Sequence, residues 1–346
     1  MKIFSLQSSQ TRQPRPVCGN HNCTANRKIS SAGSIFLFLS LLLSISACGG
    51  GGVGGLRIEG PSRLPREVQP GSPVSAAAVN QFPSGVSGGG SLRVISVYTE
   101  GGYAYNVNEK LQIGISANYG YDNFYFTGLN FYAPRPWSNV HYVGVSPSVL
   151  YHLQDKWCLM VVPVLQGAGE PGADIGRALI YGGAVAGVYN FGKDRVIGLG
   201  IGALNNVDRA SLFPFIMVNW RFNKHWRLAT PYRAGPAGPG GLELSYSPIE
   251  KLEFGLGVTY LSKRFRLSPA NLIDNGIGEY DTVPLIARMS FRILPVVDLN
   301  LYGGASLYNY IRLENSRAKK LFHSHQNVAP FVGVGLSLNF EKFTGG

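Results

Sequence analysis

Residues 252–260 read LEFGLGVTY, and residues 332–340 read VGVGLSLNF. In both stretches every second residue is apolar, and apart from Glu253 the residues between are small and uncharged. Side chains of a β-strand point alternately to opposite faces, so each stretch predicts a strand with one oily face and one small or polar face. The same alternation recurs at residues 111–119 and 143–151.

The small faces of these segments indicate a membrane barrel rather than a soluble β-sandwich. They consist mostly of Gly, Ser, Asn and Thr, whereas a sheet surface in water would carry Lys and Glu. Charged residues make up only 14% of the chain, and beyond the N-terminal region no apolar run approaches the roughly 20 residues of a spanning helix. We therefore expect the all-β class, as an antiparallel transmembrane β-barrel whose lumen the small faces line.

Turn signals divide residues 92–340 into about thirteen segments, and bacterial single-chain barrels have even strand numbers. We expect about twelve strands, or fourteen if the weak segment Val74–Phe82 adds one. Short connections alternate with long ones, as expected when short turns face the periplasm. The short ones are Asn106–Glu109, His152–Lys156, Asn190–Arg195, Asn223–His225, Pro248–Lys251 and Leu294–Val297. The long ones are Thr127–Asn139, Gly167–Gly176, Lys263–Thr282 and Leu313–Asn327.

Aromatic residues near the short turns predict a girdle at one membrane surface, because amphipathic rings settle at the level of the lipid headgroups. They are Tyr105, Tyr151, Trp157, Tyr189, Phe191, Phe222, Trp226 and Tyr246.

The N-terminal region predicts export. Arg27 and Lys28 precede an apolar run at residues 35–45, and small residues follow it, which is the pattern of a secretory signal. The junction at residues 45–48, ISAC, resembles the lipobox of bacterial lipoproteins, which implies that the sulfur of Cys48 is acylated. An ordinary signal cut near a cysteine is the alternative.

Four regions follow from this interpretation. We expect a signal peptide at residues 1–47, a lipidated linker rich in Gly, Pro and Ser at residues 48–90, the barrel at residues 91–340 and a tail at residues 341–346. The expected location is the bacterial outer membrane.

The net charge of +12 does not predict a nucleic-acid partner. Five of the 31 basic residues precede residue 48, and the remaining excess is spread without a dense basic run or a recognisable nucleic-acid module. After removal of the signal and acylation of Cys48, Cys158 would be the remaining thiol, and its apolar surroundings favour packing over catalysis. The sequence predicts no metal site and no cofactor.

The alternation places seven charged residues on the lumen face of neighbouring strands, because an arginine facing lipid at mid-depth would cost about 2–4 kcal/mol. They are Arg221, Arg227, Arg233, Glu243, Glu253, Arg288 and Arg292. One interpretation is an anion-attracting constriction in a pore that passes small solutes. The other, which we favour, is a salt-bridged interior that props or plugs a narrow barrel.

Two further features lie in the expected outer loops. The cluster His323-Ser324-His325 raises the alternative of a hydrolase acting on lipid at the barrel rim, although a solvated or phosphate-binding role is simpler and we expect no catalytic residues. Basic residues beside the long loops are expected to contact the phosphates of lipopolysaccharide. They are Arg264, Arg266, Arg317, Lys319 and Lys320.

The last strand segment, residues 335–340, resembles the C-terminal insertion signal of outer-membrane barrels, although residues 341–346 follow the closing aromatic. Residues 223–228, 240–246 and 252–266 resemble a family of bacterial outer-membrane barrel domains of unknown function. The resemblance spans residues 92–340 and implies contact with outer-membrane lipids and the barrel-assembly machinery, but lends no catalytic residues. A structural or narrow-pore transport role is therefore expected, and a surface receptor or adhesion barrel is another alternative.

Overall fold

The computed structural model describes residues 73–129, 135–192, 195–230 and 240–339. These residues form β-strands joined by turns and loops, with a 3-10 turn at Ile175–Arg177. The strands are β1 (Pro73–Gly85), β2 (Ser91–Asn106), β3 (Leu111–Thr127), β4 (Asn139–His152), β5 (Trp157–Gly169), β6 (Leu179–Gly192), β7 (Arg195–Asn206), β8 (Ala210–Arg221), β9 (Trp226–Ala229), β10 (Gly240–Ile249), β11 (Leu252–Arg266), β12 (Ile277–Leu294), β13 (Val297–Glu314), β14 (Lys320–Gln326) and β15 (Ala329–Asn339). Among the described residues, no helix is long and apolar enough to span a membrane.

The strands form a closed antiparallel barrel. Each strand pairs with the next from β1 to β13, and β15 pairs with both β13 and β1. Along β13, residues 297–306 pair with β15 and residues 309–314 pair with β14, so β14 and β15 share one position in the wall. The wall therefore has fourteen strand positions. The all-β barrel is confirmed, and the favoured number of twelve is wrong while the alternative of fourteen is correct.

The extra position is β1, which closes the barrel. Val79 pairs with Ser96 on one side and with Gly333 on the other. The weak segment Val74–Phe82 is thus a strand with neighbours on both edges, and the barrel begins at Pro73. This corrects the expected boundary at residue 91, because the last part of the stretch interpreted as a linker pairs within the sheet.

The two ends of the barrel differ. The six predicted short turns lie at the end where β1 begins and β15 ends, here called the turn end; the opposite end is the loop end. Two of the predicted long loops are shorter than expected. The interval Lys263–Thr282 contains the ends of β11 and β12, which leaves residues 267–276 as the loop, and the interval Leu313–Asn327 contains β14.

The barrel exterior is an apolar belt bounded by aromatic rings. Large apolar side chains are exposed along the middle of the wall: Val143, Leu165, Val185, Leu199, Ile201, Leu244, Leu256 and Val334. The girdle predicted at the turn end is present, with ring centroids 4.8 Å apart for Trp157–Tyr189 and 4.7 Å apart for Tyr189–Phe191. At the loop end the Tyr119 hydroxyl lies 3.0 Å from His141 Nδ1 on the barrel surface.

The height of the belt fits a bilayer. His141 pairs with Tyr121 near the loop end, and Tyr151 pairs with Leu111 near the turn end. The ten-residue interval between His141 and Tyr151 spans about 34 Å along β4, which a tilt of about 45° reduces to about 24 Å. Transmembrane barrels have an apolar band about 25 Å tall, so this belt is a surface for lipid.

The interior is packed with side chains. In the half near the turn end, inward residues of β4–β7 form one apolar cluster, which includes Met160, Val162, Val188 and Val196. In the half near the loop end, a larger cluster contains Phe124, Phe126, Trp137, Phe265 and Tyr280. Both clusters are buried, which is the arrangement of a filled barrel rather than of a wide water-filled pore.

Candidate functional site in the barrel lumen

The outer ends of β11 and β12 cross the loop end of the barrel. Residues 261–282, here called the lid, continue two wall strands, yet Arg266 pairs with Gly169 of β5 and the Glu170 N–H donates to the Arg266 carbonyl at 2.9 Å. Strand β5 is six positions away from β11 in a wall of fourteen. A strand that contacts both walls has to lie across the lumen, so the lid covers the mouth.

A buried ion pair fastens the inner face of the lid to the opposite wall. The Lys263 ammonium lies 2.7 Å from the Asp122 carboxylate of β3 and donates to the Tyr98 hydroxyl of β2 at 2.9 Å. The side chain of Lys263 is 7% exposed and that of Asp122 is 0% exposed. Ser96 also donates to Asp122, so that this carboxylate is bound from two directions.

Aromatic side chains fill the space beside this ion pair. The Phe265 ring lies 5.3 Å from Trp137 and 6.0 Å from Phe124, measured between ring centroids. Tyr280, on the second strand of the lid, meets the Phe124 ring at 5.6 Å in an edge-on contact. These contacts exclude water around the charges, which strengthens the attraction between them.

The Tyr280 hydroxyl links the lid to two further strands. Gln81 of β1 donates its amide N–H to this oxygen at 2.9 Å, and the hydroxyl donates to the Gln326 side-chain carbonyl of β14 at 2.9 Å. Gln326 in turn donates to the Leu92 carbonyl at 2.8 Å. The lid is therefore hydrogen-bonded around much of the mouth.

Arginines hold the outer face of the lid. Arg264 donates to the carbonyls of Asn206 and Val207 at 3.2 and 3.1 Å, and its guanidinium lies 2.9 Å from Glu279 and 2.7 Å from Glu314. Arg209 contacts the same two carboxylates at 3.1 and 2.9 Å. These contacts attach the lid to the turn between β7 and β8.

The buried position of these arginines corrects an expectation. Arg264 and Arg266 were expected beside long loops, in contact with lipid phosphates. The side chain of Arg266 is instead fully buried, is paired with Asp208, and donates to the Asn275 carbonyl at 2.9 Å. The error has a physical cause: this hairpin carries charged residues on both faces, such as Lys263 and Arg264, which resembles a solvated loop in sequence.

Three of the predicted lumen charges form one cluster between the lid and the turn end. The Arg288 guanidinium donates to Glu243 through Nε at 3.1 Å and to Glu253 through Nη2 at 2.6 Å. The side chain of Arg288 is 5% exposed, and it also contacts Ser290. One arginine thus binds two carboxylates from neighbouring strands of the lumen wall.

Other predicted lumen residues contact different side chains or lie at the turn end. Arg227 donates to the Asn219 side chain at 2.8 Å, Arg292 lies 3.4 Å from Asp298, and Arg221 is exposed at the turn end. Arg233 lies outside the described residues, as does Cys48 with the predicted signal. No group of three or more potential metal-ligating side chains occurs in the described part of the chain.

The His323–Ser324 pair does not have the arrangement of a nucleophile and its base. The two residues are consecutive in β14, so their side chains point to opposite faces. Ser324 faces inward and donates its hydroxyl to the Ser87 carbonyl at 2.7 Å. His323 lies outside, with its ring 6.0 Å from that of Tyr310.

Sequence reasoning missed the residues that close the lumen. Asp122 and Tyr98 lie on inward positions of aromatic-rich strands, and Gln81 lies on the weak strand β1. Asp122 could have been recognised from the sequence as a charged residue at an inward position of a strand. Its partner is 141 positions away in sequence, within an interval interpreted as a loop.

A family model described as a domain of unknown function, DUF6268, matches residues 104–339. No curated protein matches the chain. Solved structures similar to it include an outer membrane channel from Pseudomonas putida, at 10% identity and a TM-score of 0.42, with 79% of this chain and 97% of that chain covered. The Pseudomonas putida toluene transporter TodX matches at 9% identity and a TM-score of 0.36, with coverage of 82% and 92%.

Another similar structure is the translocator domain of the autotransporter NalP from Neisseria meningitidis. It matches at 9% identity and a TM-score of 0.33, with 80% of this chain and 90% of that chain covered. Identities of 9–10% and TM-scores of 0.33–0.42 are too low for the function of any of these proteins to be transferred to this chain.

Proposed function

This chain belongs to the DUF6268 family, a domain of unknown function, and we propose that it is a bacterial outer-membrane β-barrel that its own lid keeps closed. In this proposal small solutes pass only when the lid moves. The observation that carries it is the buried Lys263–Asp122 ion pair, which joins the lid to the far wall. A permanently open diffusion pore would have no such bridge across its lumen.

Placement in the outer membrane is supported by the exterior. The wall is closed, its strand positions are even in number, and its apolar belt is about as tall as the 25 Å band of such barrels. The proposal includes a secretory signal before Cys48, acylation of Cys48, and insertion by the barrel-assembly machinery. Labelling of cells with a radioactive fatty acid tests the acylation: the wild-type chain should incorporate label and Cys48→Ala should not.

The contacts of the lid favour a gate over a permanent plug. Charged groups hold both of its faces, and a buried ion pair contributes little net stability because desolvation offsets most of the attraction. The β7–β8 turn, which accepts hydrogen bonds from Arg264, is also strained, with φ of 44° at Val207 and 64° at Asp208. A β-branched residue in this region costs on the order of 1–3 kcal/mol, so the turn that holds the closed lid is itself under strain.

Single-channel recording in planar bilayers tests the gate. The wild-type barrel should be closed for most of the recording, and Lys263→Met should open at least ten times as often, because in the closed state this change leaves the Asp122 carboxylate buried without its cation. The matched control is Arg292→Met, which breaks a partly exposed pair near the turn end. Heat-dependent gel mobility checks that each variant is folded.

Two results would contradict the proposal. A large steady conductance in the wild-type barrel would mean that the lid does not close the lumen. A folded Lys263→Met variant that stays as silent as the wild type would mean that the lid is a fixed plug and that the barrel is structural.

A further inference from the structure

The ladder between β4 and β5 has a gap near the middle of the barrel wall. The two strands are paired as far as Val145 on the loop-end side and again from Val149 on the turn-end side, and none of the three described residue pairs in between is formed. At the centre of this gap the register places Pro147 directly opposite Pro163. We call residues 145–149 of β4 and residues 161–165 of β5 the seam.

The two prolines cause the gap, because a proline has no N–H and cannot donate to a ladder. Pro147 pairs with β3 and Pro163 pairs with β6 in ladders that are uninterrupted at these positions, so the nitrogens of both prolines point into the seam. Two hydrogen bonds are therefore missing at one place, and each proline leaves the carbonyl of the other without its ladder donor. Four residue steps make the gap about 14 Å high along the strands.

The seam lies in the middle of the apolar belt. Pro147 is six residues from His141 and four from Tyr151, which stand near the two ends of the belt along β4. Both prolines are exposed on the lipid side of the wall. Hydrocarbon supplies no hydrogen-bond donor that could replace the missing N–H groups. The seam is therefore held together less strongly than the neighbouring ladders of β4 with β3 and of β5 with β6.

The interior behind the seam is apolar on β5 and lined by short side chains on β4. Val162 belongs to the apolar cluster near the turn end and Val164 to the cluster near the loop end, so the two clusters come together at the seam. On β4 the buried residues of the seam are Ser146 and Ser148. Separation of the two strands would connect this apolar interior directly with the lipid.

We propose that the seam is a lateral exit, through which an uncharged apolar solute passes from the lumen into the hydrocarbon of the membrane. The depth of the seam selects this class of solute, because an apolar molecule is stabilised on leaving water for hydrocarbon whereas a charged one is strongly destabilised there. The inference rests on the lid and the outer-membrane placement proposed above. The lid admits the solute, and the seam releases it sideways.

Replacement of both prolines by valine tests the exit, because it restores two N–H donors with a side chain that suits a strand. Cells that produce Lys263→Met, with and without Pro147→Val/Pro163→Val, are exposed to phenylnaphthylamine, an uncharged apolar dye that fluoresces once it reaches hydrocarbon. Cells without the barrel give the background. The matched control is Pro214→Val in the same Lys263→Met chain, since the ladder of Pro214 with β7 is complete. Heat-dependent gel mobility checks folding, and the ion conductance of each variant is recorded in planar bilayers.

Restoring the two donors should slow dye entry by about tenfold or more and leave the ion conductance of Lys263→Met unchanged, while Pro214→Val should change neither. Dye entry at the same rate with and without the two prolines would overturn the proposal, as would an equal loss in Pro214→Val or dye entry no faster than the background.

The conductance separates this proposal from that of the gate. A conducting Lys263→Met barrel whose dye entry does not depend on the prolines contradicts the exit alone. A barrel that is silent to ions but still admits dye through the prolines contradicts the gate alone, and one that passes neither contradicts both.

Discussion

Arg288 shows how much can depend on one side chain in a filled lumen. Its guanidinium binds both Glu243 and Glu253. Removing the arginine would leave two neighbouring carboxylates without their shared partner in a confined space. Removing one glutamate would still leave the other paired, so the arginine is the more sensitive position.

We therefore predict that Arg288→Met lowers the free energy of unfolding by about 3–5 kcal/mol, the cost of breaking a buried ion pair by removing one partner. Urea-induced unfolding of the barrel in lipid vesicles measures this change. Arg292→Met is the matched control, because Arg292 is partly exposed and should contribute at most about 1 kcal/mol through Asp298. Similar losses in both variants would mean that the lumen screens the Arg288 cluster as bulk water does.

Glycines on the lumen face of β7 make room for rings on β8. A Cβ atom added at Gly200 would lie 2.6 Å from the Val185 carbonyl oxygen and would overlap the Phe215 ring. We predict that Gly200→Ala costs about 1–3 kcal/mol through overpacking, measured in the same unfolding experiment. Gly303→Ala should change stability little, because no atom lies within 4 Å of the added Cβ atom. Unchanged stability of Gly200→Ala would show that the wall can expand there.

Alternation could place single residues on a face but could not pair them. Arg288, Glu243 and Glu253 were assigned to the lumen because they stand at small-face positions of regular strands, and the structure brings the three side chains into contact. Lys263 and Asp122 were not brought together because their contact depends on how far the lid bends across the mouth. That bend is a tertiary property, and a two-residue period does not contain it.

Strand β1 is the element on which closure of the wall depends. It pairs with β2 along one edge and with β15 along the other, so without it both neighbours would present unpaired backbone groups to lipid. Each unsatisfied group in the bilayer costs several kcal/mol. A strand of weak sequence character can thus be indispensable to the fold.

We predict that deletion of residues 73–85 abolishes the heat-modifiable, membrane-embedded form in cell fractionation and gel analysis. Deletion of residues 56–70, which precede β1, is the control and should leave that form intact. If the chain without β1 still gave a heat-modifiable barrel, a smaller closed wall would have to form from the remaining strands.

The same element shows where the sequence misleads. In β1 the alternation is blurred by Asn80 and Gln81, and Gln81 is polar because its amide binds Tyr280 of the lid. In the lid the residues 261–266, LSKRFR, carry charges on both sides, because Lys263 on one side binds Asp122 of the lumen wall and Arg264 on the other binds the β7–β8 turn. A wall strand has lipid on one face and the lumen on the other, so its sequence follows the two-residue period. The lid has protein on both faces, so its sequence departs from that period.

At the scale of the whole molecule, the barrel is apolar on its outer surface as well as in parts of its interior. Its apolar clusters and ion pairs lie inside, yet its largest exposed surface is also apolar. Such a surface would cause aggregation in water but is stable in hydrocarbon, so the folded barrel needs the bilayer around it. The stability of the barrel should then depend on where along its axis a charge is introduced.

Ile201 and Ile249 make this dependence measurable, since their exposed fractions are nearly equal at 62% and 59% but they lie at different heights. Ile201 is near the middle of β7, and Ile249 ends β10 beside a short turn. We predict that Ile201→Arg lowers the free energy of unfolding in vesicles by about 2–4 kcal/mol, and that Ile249→Arg lowers it by about 0–1 kcal/mol. Equal losses at the two heights would mean that the belt does not lie in lipid, and the outer-membrane proposal would then fail.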